Sequence, residues 1–205
     1  MVCNDTTALG IGAINLKPNF NWENTVTGVV GTGFNFGFFE KENLFINLES
    51  GNFNKFSHTA SAKFIDSESN EPGYQMLEKE VGGVYLNRHF NYYAKEMGLS
   101  TILKDGAEVS QTAKSGDNKE AVLARDLITR SASLVASHIA GLYDLKKEMG
   151  MGSDQMLCAL EGSLYWRGYG FKEVVNLVLS ELGYENKIII EGSDDLSLIG
   201  AANLV

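Results

Sequence analysis

Apolar residues recur along this chain with two periods, and the switches between them mark its elements. Residues 26–30, 35–40 and 44–48 are runs rich in β-branched and aromatic side chains, bounded by glycine and polar turns, which predicts a three-stranded antiparallel meander. Ahead of it, residues 5–13 read as the start of a helix, followed by a polar connection through Pro18 and Asn24. Residues 54–70 are polar and serine-rich and read as a surface loop, with room for a short edge element at 60–64. After Pro72 the period changes: Met76, Val81, Val84, Tyr85 and Phe90 recur at helical spacing, which predicts one helix reaching Lys95 or Glu96. Gly82 and Gly83 fall inside it, at about 1 kcal/mol each relative to alanine, so close packing or a functional need is expected there.

Residues 104–119 are polar and turn-rich, and the run 120–148 that follows is the strongest helical pattern in the chain, stopped by Gly150. Its middle is dense in small residues, including Ser131, Ala132, Ala136, Ala140 and Gly141, which predicts a central buried helix lying close to a sheet. The last third repeats one unit. A strand at 155–160, the turn Glu161-Gly162-Ser163 and a helix at 171–182 closed by Gly183 are followed by a strand at 187–190, the turn Glu191-Gly192-Ser193 and a helix ending near Leu204. Two strand, turn, helix units imply parallel strands, and open α/β sheets bind ligands at the carboxyl edge of such strands, where phosphate or ribose could rest against either turn. The fold class is therefore α/β.

Composition sets outer bounds. A chain of 205 residues with 44% hydrophobic and 21% charged content is long enough for one domain with a substantial core. Seventeen basic against 26 acidic residues give a net charge of −9, and no basic cluster stands out, which argues against a surface for nucleic acid or anionic lipid. The longest apolar runs fall far short of a bilayer span and the amino terminus shows no signal pattern, so a cytoplasmic protein is expected. Cys3 and Cys158 lack metal or redox spacing and read as buried thiols. His58, His89 and His138 show no ligand spacing, and Trp22 and Trp166 read as packing residues. No metal site is expected from protein ligands alone.

Five short motifs carry candidate chemistry, and each has a plain structural reading. Asn4-Asp5-Thr6 at a junction into a helix is what capping alone would favour. Gly31-Thr32-Gly33 suits a hairpin turn and is not a P-loop, since no G-x-x-x-x-G-K-[ST] occurs. Glu49 and Glu78 have the ordinary state of solvated surface carboxylates available to them. Thr129, within Ile128-Thr129-Arg130-Ser131-Ala132, can be a packed helical threonine.

Taken in this order, however, Asn4-Asp5-Thr6, Gly31-Thr32-Gly33-Phe34-Asn35, Asn47-Leu48-Glu49, Pro72-Gly73 with Glu78-Lys79, and the Thr129 segment resemble the carboxyl-terminal half of the eukaryotic-type hexokinase family. The resemblance covers nearly all of the chain. It implies a ribonuclease-H-like, actin-like ATPase fold, with residues 1–205 as the large lobe, a mixed sheet flanked by helices. It implies an ATP-dependent hexose kinase using ATP with Mg²⁺ and acting on the 6-hydroxyl of glucose or a related hexose. Asp5 becomes the catalytic base, and Asn4, Asp5, Asn35, Glu49 and Glu78 the sugar-binding set. Gly31, Thr32 and Gly33 become a phosphate loop, Thr129 a neighbour of the nucleotide, and Gly162 and Ser163 the turn near the adenosine and α-phosphate.

The departures are equally legible. The family's E-W-G reads Glu49-Ser50-Gly51, its L-G-E reads Leu86-Asn87-Arg88, Glu161 replaces an aspartate, and the closing D-G-S-G turn reads Gly192-Ser193-Asp194-Asp195. What the family carries upstream, a first phosphate loop and the small lobe, has no counterpart in this sequence, so that missing lobe is an expected partner within the same polypeptide. Phosphoryl transfer depends on positioning and charge stabilisation that lobe closure supplies, so the chain alone is expected to be inactive. A non-catalytic, hexokinase-like sugar sensor or interaction protein is the alternative, and an actin-like assembly module a third.

Overall fold

Thr25–Val30 (β1), Phe34–Lys41 (β2) and Leu44–Asn47 (β3) form the antiparallel meander, and Met156–Glu161 (β4) and Ile188–Glu191 (β5) extend the sheet on the far side of β1. The computed structural model describes residues 5–16, 20–42, 44–151, 153–192 and 202. Strand order is β3-β2-β1-β4-β5, with β1, β4 and β5 parallel and β2 running against both its neighbours. The carboxyl ends of β1, β3, β4 and β5 and the start of β2 therefore share one edge.

Alternation along the strands divides the core between the two faces of the sheet. Leu157 and Ala159 of β4 pack with Leu9 and Ala13 of α1 (Asp5–Leu16) on one face. Cys158 and Leu160 turn the other way and join Val26, Val30, Phe36 and Phe38 in the larger core. That face is covered by α6 (Lys119–Glu148) and α8 (Phe171–Glu181). Phe36, Phe90 and Phe171 are all at 0% exposure, each stabilising the fold by about 1.5–3 kcal/mol. Asn118 caps α6 by accepting from the Ala121 amide at 2.8 Å, and Gly150 in the left-handed region follows its end. Its buried stripe runs through Ala124, Ile128, Ala132, Val135 and Ile139, while His138 meets the rings of Phe34 and Phe36 edge-on at 5.3 and 5.0 Å.

Three expectations change. The polar stretch 54–70 contains α2 (Ala60–Ser67), neither loop nor edge strand, because the Thr59 hydroxyl accepts from the Ala62 amide at 3.1 Å and Ser61, Ala62 and Ile65 bury one side. The single helix expected after Pro72 is two, α3 (Met76–Val81) and α4 (Gly83–Glu96), broken where Gly82 turns to extended backbone at ψ 138°. The stretch 104–119 holds α5 (Gly106–Ala113), started by Asp105 accepting from the Glu108 amide at 2.9 Å. A short helix, α7 (Ser163–Arg167), also follows β4. The expected last helix lies outside the described residues except for Ala202, which is helical.

Candidate active site

The shared sheet edge is built from turns that touch backbone to backbone. Val29 of β1 pairs with Glu161 of β4, so the turns after both strands emerge together. The first, Gly31-Thr32-Gly33, is closed by the Gly31 amide donating to the Gly33 carbonyl at 3.1 Å. In the second, Gly162 has φ +119°, and a Cβ there would lie 2.4 Å from the Val30 carbonyl oxygen, so glycine is required. The break at Gly82 explains the third contact. It aims the first amides of α4 at the Gly31-Thr32-Gly33 turn, with Gly83 donating to the Gly31 carbonyl at 2.8 Å and Val84 to the Thr32 carbonyl at 3.2 Å. A Cβ on Gly83 would meet the Gly31 oxygen at 2.7 Å, which accounts for glycine inside a helical pattern. Above this floor opens a cleft of about 550 Å³, with Thr32, Ser110, Lys114, Ser163 and Arg167 among its walls.

A second cluster flanks the same turn. Gly37 pairs with Asn47 across β2 and β3, which puts Asn35 and Asn47 on one face as diagonal neighbours. Asn35 Nδ2 donates to Asn47 Oδ1 at 2.7 Å, and Asn47 Nδ2 donates to Glu49 Oε1 at 2.6 Å. Glu49 holds φ 48° and ψ 48° at the head of a 3₁₀ turn, Ser50–Asn52, a left-handed conformation that costs a non-glycine residue about 1–2 kcal/mol. Glu78, in the first turn of α3, reaches back 44 residues to accept from the Phe34 amide through Oε2 at 2.9 Å. A Cβ on Gly33 would fall 2.7 Å from that oxygen, and one on Gly51 would lie 3.0 Å from the Glu78 Cβ. Asn35, Glu49 and Glu78, brought from three separate segments, thus border one rim beside Gly33.

Behind Glu78 lies a rigid anchor. The ammonium of Lys79, 3% exposed, donates to Asp66 Oδ1 at 2.6 Å, Ser69 Oγ at 3.0 Å and the Glu71 carbonyl at 2.9 Å. The hydrogen bond from Lys79 holds the Asp66 carboxyl below the usual carboxylate range. His89 Nε2 meets the Lys79 carbonyl at 2.7 Å and so donates, leaving Nδ1 to accept from Ser61 at 2.7 Å. Burial pushes the His89 pKa down. Glu80 binds the Thr59 amide at 2.7 Å and Arg130 Nε at 3.2 Å rather than His89. Ser61, His89 and Glu80 therefore pin α2 and α6 around α3 and α4 and do not form a nucleophilic triad.

Asp5 is the first residue of α1. The Thr6 carbonyl accepts from Thr27 at 2.9 Å, and Gly10, one turn on, lies against Thr27 and Phe39, so the first turns of α1 pack across β1 and β2. Asn4 lies outside the described residues, as does Ser193 of the second E-G-S turn. Thr129 does not join the site. It is exposed on α6 and lines a shallow depression with Asp126, Ser133 and Ser137, apart from the residues that wall the cleft.

Sequence reasoning missed the α5 wall with Ser110 and Lys114, although Asp105-x-x-Glu108 is a helix-start signal. It quoted Asn47 as the first residue of Asn47-Leu48-Glu49 but gave it no role of its own.

The protein-family description Hexokinase matches residues 25–97 and 94–205. Hexokinase-1 of Nicotiana tabacum is 27% identical over 243 aligned positions, covering 87% of this chain and 48% of that protein. A crystal structure of a hexokinase superposes with a TM-score of 0.83 at 23% identity, over 100% of this chain and 55% of the other. A Schistosoma mansoni hexokinase complexed with glucose gives 0.78 at 19% identity, over 98% and 57%. The fold is thus the ribonuclease-H-like, actin-like α/β fold, in its large-lobe form. The chain spans about half the length of the curated relatives it matches. By the extent of the family match, with the site motifs in family order, the chain belongs to the hexokinase family and corresponds to its carboxyl-terminal half.

Proposed function

We propose that this chain is the large lobe of an ATP-dependent hexose kinase, and that residues 1–205 need a small lobe of the same polypeptide to complete catalysis. The observation that supports it most is the gathering of Asn35, Glu49 and Glu78 on a rim adjoining the Gly31-Thr32-Gly33 turn. A hexose offers adjacent hydroxyl donors, and charge-assisted bonds to carboxylates are roughly twice as strong as neutral ones. Glu49 and Glu78 accept from those hydroxyls, and Asn4 and Asn35 complete the set. Asp5 takes the proton from the 6-hydroxyl as its oxygen attacks phosphorus. A carboxylate at a helix amino terminus is favoured in its ionised form by about 0.3–1 kcal/mol, which suits a base.

The fit to a nucleotide rests on the close-packed glycine floor and the cleft above it. ATP with Mg²⁺ supplies the transferable phosphoryl group, with the metal carried by the phosphates. Thr32, Gly33 and Ser163 hold phosphate oxygens, and Lys114 and Arg167 bring positive charge to the same walls. The proposal places the protein in the cytoplasm, acting in carbohydrate metabolism.

With a hexokinase small lobe fused ahead of Met1, the protein should phosphorylate glucose, and Asp5→Asn should lower the rate by about 10²–10⁴. Undiminished turnover by Asp5→Asn would sink the assignment of the base. The 205 residues alone should turn over negligibly, and normal turnover by them would refute the need for a second lobe. The replacement of the family tryptophan by Ser50 and of its aspartate by Glu161 favours a second reading, a sugar sensor without catalysis. Calorimetry separates the two: glucose uptake with no nucleotide uptake supports the sensor, and ATP uptake strengthened by glucose supports the kinase.

A further inference from the structure

We infer that Asn47 is a positioning residue that locks Asn35 and Glu49 into one sugar-binding unit, an inference that rests on the hexose reading above. The donor and acceptor count carries it. Asn35 Oδ1 accepts from two backbone amides, Phe36 at 2.8 Å and Ser50 at 3.1 Å, which uses both of its lone pairs. Those two amides also fix which way the Asn35 side chain faces, since its NH₂ group cannot replace the oxygen there. One Nδ2 hydrogen is committed to Asn47 Oδ1 at 2.7 Å. That bond fixes the Asn47 amide in turn, so its Nδ2 faces Glu49 Oε1 at 2.6 Å.

The orientation of all three side chains is thus set from the β2 backbone outward. Asn35 keeps a single N–H for a ligand and has no acceptor left. Glu49 offers only acceptors, and its strained backbone is steadied by the bond from Asn47. A sugar hydroxyl held between them accepts from Asn35 Nδ2 and donates to Glu49. The unit therefore selects a group that is donor and acceptor at once, and it rejects a carbonyl or a fluorine in that place. Asn47 itself need not touch the sugar.

The register explains how this arises. Asn47 faces Gly37 across the ladder, so no opposing side chain competes with its reach to Asn35. The 3₁₀ turn at Ser50–Asn52 returns the Ser50 amide to Asn35, closing the loop of contacts around Glu49.

The test combines side-chain amide NMR with glucose titration of the 205-residue chain, wild type against Asn47→Leu and Asn47→Asp. In Asn47→Leu the Asn35 side-chain amide should exchange with water about fivefold faster, as expected for the loss of one hydrogen bond. Glucose affinity should fall about tenfold to a hundredfold, as expected for loss of a bond to a charged group. Asn47→Asp separates positioning from simple packing. Its carboxylic acid at low pH can donate to Glu49 as the amide does, whereas two ionised carboxylates at this separation repel. Glucose affinity of Asn47→Asp, relative to wild type at the same pH, should therefore be lowest at pH 7.5 and rise as the pH is lowered to 4.5.

An unchanged Asn35 amide in Asn47→Leu, or glucose affinities within twofold of wild type for both variants at both pH values, would overturn the inference. If wild type takes up no glucose while the Asn35 amide still responds to Asn47→Leu, the linkage stands and the hexose reading is what fails.

Discussion

The Glu78 carboxylate accepts the Phe34 amide at 2.9 Å, tying the first turn of α3 to the first residue of β2. Phe34 follows the Gly31-Thr32-Gly33 turn, and two residues past the end of α3 Gly83 binds the Gly31 carbonyl. The two helices on either side of Gly82 thus hold both ends of the same turn. The rim of Asn35, Glu49 and Glu78 and the Gly31-Thr32-Gly33 turn are mechanically joined, so a group that moves one moves the other.

That joint predicts how Glu78 variants divide. Glu78→Gln keeps an oxygen for the Phe34 amide and should leave stability within about 0.5 kcal/mol, while glucose affinity falls about tenfold or more through loss of charge. Glu78→Ala strands the Phe34 amide and should cost a further 1–3 kcal/mol, as a rough range, in urea unfolding. Equal destabilisation by both variants would show that the Phe34 bond does not hold the turn.

Gly162 gives the sharpest backbone prediction. Gly162→Ala places a methyl group 2.4 Å from the Val30 carbonyl at φ +119°, where the neighbour is main chain and cannot swing aside. It should cost about 3 kcal/mol or displace the turn, visible as amide shifts at Gly31 and Ser163. Gly170→Ala is the control, since φ there is +63° and nothing lies within 4 Å of the added Cβ. It should cost about 1 kcal/mol. Similar effects from the two variants would contradict the close approach of the β1 and β4 turns.

Acid should weaken the fold through His138. Burial against Phe34 and Phe36 lowers its pKa to about 4, and its Nε2 is buried with no hydrogen-bond partner among the described residues. The unfolded chain protonates near pH 6.5 while the folded one does not, so stability is full above about pH 6.5. It should fall by up to about 3 kcal/mol as the pH drops to 4. His89, shifted in the same direction by burial, adds to the slope. Denaturant unfolding at pH 7 and pH 4.5 measures the loss, and His138→Leu should flatten it. A His138→Leu slope equal to wild type would refute the cause.

The parts of this architecture that were legible in the sequence share one property, a contiguous signal. Alternating apolar strands, the small-residue stripe of α6 and the first E-G-S turn each announce themselves within a few residues, and all lie close to their expected bounds. Boundaries set by distant contacts were not legible. Nothing near Gly82 says that α3 must stop there, because the reason is the Gly31 carbonyl some 50 positions earlier. The helix α2 was hidden by its polar composition, since only Ser61, Ala62 and Ile65 face inward. At the site, the family resemblance and not residue type pointed to Asn35, Glu49 and Glu78, while the contacts of Asn47 and the α5 wall emerged only from geometry. Thr129 belongs to a contiguous motif as well, yet it lines a separate depression on α6 and is not among the cleft walls.

The central claim is that a hexose sits on the rim of Asn35, Glu49 and Glu78, and amide NMR of the 205-residue chain titrated with glucose tests it most directly. Saturable shifts should centre on the Phe34 and Ser50 backbone amides and the Asn35 side chain, and Glu78→Gln should weaken them. Glucose shifts confined to other surfaces, such as the cavity beside His89 and Tyr93, or no shifts at any concentration, would contradict the account.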